Sequence, residues 1–337
     1  MQRKSLTTKD TLAHPALGRA KKHKGYNKKP TTRKTHLWHW LATVVLLLAI
    51  PTQTASAHEG HPPAPHDLWN AWNWDPVILT GLTLGGWGYA ASWRELRRRS
   101  GSAQAWRPVS FALGLLTLFV ALISPLDAVS AALFSGHMLQ HTLLIVVAPP
   151  LLVLGMPPGA FLLALSPSLR KSLTRWWHKT SWLKPVWHTV TQPWAAWTLN
   201  VLALWVWHVP WLYQVALTDE SIHTLEHFTF VGTSLAFWWA ITRPTARSST
   251  LALFTMAMQC GLLGALITFA PFPWYAAYST TTQPWGLSPL EDQQLAGAIM
   301  WIPVGVIYTV AALILLAFHL GQIEQISKQR EEAQMNK

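Results

Sequence analysis

Seven long apolar segments occupy most of the sequence after residue 73. We place them at residues 74–93, 108–124, 131–154, 194–210, 221–241, 249–270 and 294–318. Segments of this length match the thickness of a bilayer, in which a helix satisfies all its backbone polar groups internally. Half of the residues are hydrophobic and only 12% are charged. The sequence therefore predicts an all-α fold, a polytopic membrane helix bundle with seven transmembrane helices.

The positions of lysine and arginine predict the orientation of this bundle. After residue 57, all of them lie in the loops that follow the first, third and fifth segments, or in the C-terminal tail. Basic loops stay in the cytoplasm during membrane insertion. We therefore expect the bundle to begin outside the cytoplasm and to end with its C-terminus inside.

A strongly basic leader precedes the bundle. It continues into an apolar stretch at residues 37–50 and then into the small residues Ala55, Ser56 and Ala57. This order is typical of a secretory signal peptide, and an uncleaved signal anchor is the alternative. The formal net charge of +12 comes mainly from the leader, so no nucleic-acid binding is expected. The predicted parts are the leader with signal peptide or anchor (1–57), a periplasmic histidine-containing segment (58–73), the transmembrane domain (74–320) and a cytoplasmic tail (321–337).

Five histidines are predicted to lie near the outer ends of three membrane helices. His137 and His141 are four residues apart in the third segment, and His223 and His227 have the same spacing in the fifth. Residues four apart share one face of a helix. His208 stands at the outer end of the fourth segment. Because such side chains are costly in a bilayer, their common depth favours a functional site over unrelated structural histidines.

The predicted chemistry of these histidines is metal binding, at one site or at two. Imidazole suits copper, zinc and iron, and each pair presents two nitrogens to one ion. Asp127, Glu226 and Asp292 lie on the same side of the membrane. A carboxylate there can order a loop, cap a helix or accept the second ring N–H of a ligating histidine. Further candidate ligands are His58, His61 and Met138.

The cysteine, two further methionines and the aromatic residues at the segment ends are assigned no part in the site. The single cysteine, Cys260, excludes an intrachain disulfide and a multi-thiolate metal centre. Met256 and Met258 are interpreted as packing residues. Tryptophans and tyrosines at the segment ends are interpreted as a membrane-interface belt. They are Trp69, Trp72, Trp74, Trp205, Trp207, Trp211, Tyr213, Trp274, Tyr275 and Tyr278.

Several short motifs resemble those of a known family. The stretch HMLQH at 137–141, followed by APPLL at 148–152, is similar to the signature of the multispan CtaG family of bacterial cytochrome c oxidase assembly factors. Further matches, in the family's order, are SPLD at 124–127, WHVP at 207–210 with Leu212 and Tyr213, His223 with Glu226 and His227, and DQQLAG at 292–297 running into Met300 and Trp301. The resemblance implies a bacterial inner-membrane protein that helps haem–copper oxidases to mature, with oxidase subunits and membrane lipid as partners and copper as cofactor.

Three functions remain open at this stage. A metallochaperone or assembly factor would exchange copper among several imidazoles. A haem-binding redox protein would use the same histidines as axial ligands. A transporter would use them with Glu226 and Asp127 as a relay, although relays normally reach the middle of the membrane. A zinc hydrolase is disfavoured, because the HxxxH pairs lack the glutamate of the HExxH pattern, and no catalytic residue is predicted.

Overall fold

The computed structural model describes residues 64–100, 104–156, 160–243 and 248–335. The predicted leader (1–57) lies outside these ranges, together with His58 and His61. Within them the chain forms helices and turns, and no strand. In chain order the helices are α1 (Pro76–Ser100), α2 (Trp106–Leu122), α3 (Pro125–Ala132), α4 (Phe134–Gly155), α5 (Phe161–Ala164), α6 (Pro167–Lys179), α7 (Leu183–Val190), α8 (Pro193–Trp207), α9 (Pro210–Thr218), α10 (Glu220–Ile241), α11 (Ser249–Thr268) and α12 (Pro289–Met335).

Each of the seven predicted apolar segments coincides with a helix, which confirms the all-helical fold. Among the described residues, α4, α11 and α12 are long and apolar enough to cross a membrane. Two bent pairs, α2 with α3 and α8 with α9, raise that number to five if each pair counts as one span. The chain is therefore a helical membrane protein. The full set of seven spans and their orientation remain predictions.

Prolines set the starts of several helices, and one of them positions a predicted ligand. Proline fixes its own φ and has no N–H, so it fits the first turn of a helix. Pro210 begins α9, which leaves α8 at an angle of 79°. The α8 helix ends at Trp207, and His208 follows as its C-cap. The bend therefore places His208 inside the bundle, where it is only 4% exposed.

The middle of α4 departs from regular α-helix. Residues Leu143–Val147 are π-helical, and Ala148 separates them from Pro149 and Pro150. These prolines have no N–H to offer the carbonyl groups one turn earlier. The Ser234 hydroxyl of α10 donates a hydrogen bond to one of them, the carbonyl of Ile145. Consecutive prolines inside a helix favour a distortion, and here it lies in the turn before them.

The close packing of α11 against α12 depends on two glycines. A Cβ added to Gly297 would lie 2.4 Å from Thr268 Oγ1 and 2.6 Å from the Gly264 carbonyl oxygen. A Cβ added to Gly264 would lie 2.7 Å from the Gly297 carbonyl oxygen. Small residues let membrane helices approach this closely. The contact fixes the position of the start of α12, which carries Asp292.

Most of the buried core lies between α4, α8, α9, α10, α11 and α12. Phe134, Tyr213, Phe230 and Phe237 are among its largest fully buried side chains. The outward faces of α11 and α12 carry exposed apolar side chains, which suits contact with lipid rather than water. Examples are Leu251, Leu262, Ile302, Leu313 and Ile314. The 47-residue α12 also continues without a break through the predicted boundary between residues 320 and 321.

Candidate metal site

The two histidines of α4 form the centre of the site. The ring centroids of His137 and His141 are 4.2 Å apart, and the residues are 0% and 2% exposed. They share one face because they are one turn apart. Their helix begins without a capping side chain of its own at Leu133.

The first turns of α10 supply the second pair of histidines. Asp219 caps this helix by accepting hydrogen bonds from the N–H groups of Ser221 and Ile222 at 2.9 and 3.1 Å. His223 and His227 follow with ring centroids 4.2 Å apart. Glu226 lies beside them on α10 and is fully buried. The N-cap thus defines the turn that directs three potential ligands inward.

The two pairs meet across the interface between α4 and α10. Ring centroids of His137 and His223 are 5.5 Å apart, and those of His141 and His227 are also 5.5 Å apart. Two groups of three ligand atoms have all members within 4.8 Å of one another. One group is His137, His141 and His227, and the other is His137, His223 and Glu226. Both have the spacing and donor types of a metal site.

The polar atoms of this cluster have few other partners. Within the described ranges, eight of its buried nitrogen and oxygen atoms lack a hydrogen bond of normal geometry. They are Nε2 of His223, Nε2 of His227, both ring nitrogens of His137 and of His141, and both carboxylate oxygens of Glu226. His141 Nε2 lies 3.7 Å from Glu226 Oε1, an ion-pair distance if the histidine is protonated. A buried polar atom without a partner costs about 1–3 kcal/mol. Bound metal would satisfy several of these atoms at once, so the residues fit such a group.

His208 joins the cluster differently from the other histidines. Its ring centroid is 6.1 Å from that of His141, but it belongs to neither group of three ligand atoms. Its Nδ1 lies 2.6 Å from the Leu204 carbonyl oxygen, and its Nε2 lies 3.4 Å from Met138 Sδ. The structure therefore brings all five predicted histidines together and places His208 against a sulfur atom.

Asp292 caps the helix that carries the central histidines. Its two carboxylate oxygens accept hydrogen bonds from the backbone N–H groups of Phe134 and Ser135 at 2.7 and 3.1 Å, and from the Ser135 hydroxyl. Among the alternatives open for this residue, capping is the one observed. The cap comes from α12, 158 residues further along the chain than Phe134.

Asp127 forms hydrogen bonds at the junction of helices next to the site and, within the described part of the chain, none to a histidine ring. It accepts hydrogen bonds from Asn73 Nδ2 and Gln140 Nε2, each at 2.8 Å. Gln140 also donates to the Ala121 carbonyl at 2.8 Å. These bonds tie the α2–α3 bend to α4 beside His141. Glu226, by contrast, lies among the histidines and offers a ligand atom itself.

Three tyrosines close the cluster on one side, and their interpretation as interface residues was wrong. Tyr213, Tyr275 and Tyr278 are 0%, 3% and 2% exposed. The Tyr278 hydroxyl donates to the Ser130 carbonyl at 3.1 Å and lies 2.9 Å from the Tyr213 hydroxyl. Trp69 and Trp211 are 84% and 69% exposed, as an interface belt requires. The sequence near the segment ends does not show whether an aromatic ring points into the bundle or toward the membrane interface.

These tyrosines act as neutral hydrogen-bond donors. Burial raises the pKa of Tyr275 and of Tyr278 above the ordinary value, so both phenols keep their protons at neutral pH. Tyr275 donates to the carbonyl of His208 at 2.9 Å. The ring of Tyr213 lies 5.1 Å from that of His137. The tyrosines therefore hold the α8–α9 bend and shield the histidines from water.

The fold and the cluster define a helical membrane protein with a buried histidine–carboxylate site between its helices. A family model described as cytochrome c oxidase caa3 assembly factor (Caa3_CtaG) matches residues 87–320. The chain therefore belongs to this family of cytochrome c oxidase assembly factors. The matched range contains all the described residues of the cluster, and the motifs that resemble the family contribute its ligands, its cap and its close glycine contact.

The chain is also similar to longer mycobacterial proteins. Uncharacterized proteins of Mycobacterium bovis and Mycobacterium tuberculosis are each 27% identical over 270 residues, which is 75% of this chain and 40% of theirs. An uncharacterized protein of Mycobacterium leprae is 27% identical over 260 residues, 71% of this chain and 38% of its own. The chain thus spans about two fifths of the length of these relatives. No solved structure matches it.

Proposed function

We propose that this protein binds copper in the cluster of His137, His141, His223, His227 and Glu226 and delivers it to a subunit of a haem–copper oxidase. The family model describes an assembly factor of a cytochrome c oxidase, which supports the choice of an oxidase subunit as recipient. The observation that carries the copper role is the set of buried nitrogen and oxygen atoms without hydrogen bonds. Delivery takes place at the periplasmic face of the bacterial inner membrane, which is the side opposite the basic loops.

The donor set suits a protein that passes its ion on. Imidazole and carboxylate bind copper without the tight enclosure of a thiolate cage. Two overlapping groups of three donors share His137. An ion can therefore change partners one ligand at a time, which lowers the barrier to release.

The packing disfavours the alternative of a haem protein. The histidine rings are in contact with one another at centroid distances between 4.2 and 6.3 Å. The cavity beside His141 and His208 has a volume of about 20 Å³. Pockets for organic ligands are commonly about 300–1,000 Å³. A macrocycle would have to separate α4 from α10, whereas a single ion requires no such movement.

The proposal is tested by metal analysis of the full chain, purified in detergent from copper-replete cells. Changing both His223→Ala and His227→Ala is expected to remove about one copper ion per chain, because each group of three donors loses a member. Cells that carry this variant in place of the normal protein are expected to have reduced cytochrome c oxidase activity in their membranes.

The matched control changes two histidines outside the cluster. His178 and His188 are exposed on α6 and α7. His178→Ala with His188→Ala is expected to leave copper content and oxidase activity unchanged. Equal copper content in the two double variants would refute the proposed site. If the normal protein carries no copper and oxidase assembly still requires the protein, only a scaffold role is left.

A further inference from the structure

A second, smaller constellation of possible ligands lies on the other side of His141. It surrounds the cavity of about 20 Å³, room for one ion or one water molecule. Its lining includes two imidazoles and three sulfur-containing side chains: His141, His208, Met138, Cys260 and Met300. Only His141 is shared with the two groups of donors described above.

The tautomer of His208 follows from its contacts. The Leu204 carbonyl oxygen only accepts, so the 2.6 Å contact requires the proton on Nδ1. In the neutral ring, Nε2 then carries a lone pair, and it lies 3.4 Å from Met138 Sδ. A thioether has no proton to donate. Two lone pairs therefore face each other between residues that are only 4% and 0% exposed.

The distance between these two atoms suits a shared ion. Metal–nitrogen and metal–sulfur bonds are about 2.0 and 2.3 Å, and a tetrahedral angle between them places the two donors roughly 3.5 Å apart. The observed separation is 3.4 Å. The separation of the two atoms therefore matches that of two donors bound to one ion.

The remaining groups around the cavity select the kind of ion. Cys260 and Met300 are 3% and 5% exposed. His141 is 2% exposed, and neither of its nitrogens has a hydrogen bond within the described residues. Thioether and thiolate donors favour Cu(I) over harder divalent ions. Binding through Cys260 releases its thiol proton to solvent, and the thiolate then balances the single charge of Cu(I).

We propose that Met138, His208 and Cys260, with His141, form a separate Cu(I) site next to the histidine–Glu226 site. The inference rests on the proposed copper function and adds a second position for the ion. His141 lines both sites, so an ion moves between them by exchanging the other ligands. The sequence assigned no role to Cys260, and only the tertiary packing of α11 brings it to a cavity that is also lined by residues of α4 and α8.

The experiment is a Cu(I) titration of the full chain in detergent under reducing conditions, with X-ray absorption on the loaded protein. The normal protein is expected to bind two Cu(I) ions and to show copper–sulfur scattering at about 2.3 Å. Met138→Leu keeps the side-chain volume, and Cys260→Ser keeps its shape. Each is expected to lose one ion and to reduce the sulfur signal. His223→Ala with His227→Ala is expected to lose the other ion and to keep that signal.

The control is Met258→Leu on α11, because Met258 is 58% exposed and lies outside the cavity. It is expected to bind two ions. Copper without sulfur in its coordination shell, or two ions in both Met138→Leu and Cys260→Ser, would overturn the second site and leave the proposed function intact. If the normal protein binds a single copper ion with sulfur in its coordination shell, and Met138→Leu does not bind it, the second site is supported and the first is not. No Cu(I) binding by the normal protein would overturn both.

Discussion

Asp292→Ala is expected to destabilise the protein by about 3 kcal/mol or more, since each buried donor left unpaired costs about 1–3 kcal/mol. Three donors lose their acceptor: the N–H groups of Phe134 and Ser135 and the Ser135 hydroxyl. All three are buried, so water cannot replace the carboxylate without opening the bundle. His137 lies in the next turn of the same helix and is expected to lose its position. The measurement is the melting temperature of the purified protein in detergent, together with its copper content.

The neighbouring acidic residue provides the control for this change. Glu291 accepts hydrogen bonds from the Ser288 N–H at 2.8 Å and the Ser288 hydroxyl at 2.7 Å, while Ser288 Oγ accepts from the Glu291 N–H at 3.3 Å. This capping box is exposed to solvent. Glu291→Ala is therefore expected to cost about 1 kcal/mol at most. Equal melting temperatures for the two variants would show that the contact of Asp292 with α4 is dispensable.

Gly297→Ala is expected to separate α11 from α12 and to lower stability by about 1–3 kcal/mol or more. The added methyl group would meet Thr268 Oγ1 at 2.4 Å and the Gly264 carbonyl oxygen at 2.6 Å. The second contact is with backbone, which cannot move aside as a side chain does. A shift of α12 would carry Asp292 away from the start of α4. The expected result is a lower melting temperature and less copper bound.

Gly305→Ala serves as the matched substitution on the same helix. A Cβ added to Gly305 has no neighbour within 4 Å. Alanine in a helix interior is favoured over glycine by about 0.5–1 kcal/mol, so this variant is expected to be as stable as the normal protein or slightly more stable. If both alanine variants melted together, the close contact of Gly264 with Gly297 would not be what orients α12.

The motifs that identified the family acquire physical roles in the structure. In HMLQH at 137–141, the two histidines enter the cluster, and Gln140 binds Asp127. In the stretch from Asp292 to Met300, Asp292 caps α4 and Gly297 allows the close approach of α11. Gln140 and Asp292 thus tie α4 to its neighbours, and Gly297 positions the helix that carries Asp292, which explains why ligands and supporting residues occur in the same short segments.

The sequence alone determined where the long helices lie and which residues share one of them. Long uncharged segments can satisfy their backbone in lipid only as helices, so the helices fall where they were predicted. Spacing within one helix is set by 3.6 residues per turn, which places His137 with His141 and His223 with His227 before any packing is known. The motifs were sufficient to identify the family.

Only the tertiary structure decided which faces of the helices meet. A segment that is apolar on all sides gives no indication of how it is rotated about its axis. The pairing of Met138 with His208 therefore could not be read from the chain. Tyr213, Tyr275 and Tyr278 lie between the apolar segments and looked like interface residues, yet they are buried because the connecting stretches fold back against the bundle. The contact of Asp292 with α4 joins residues 158 positions apart, and such contacts follow from how the helices pack, which local sequence does not encode.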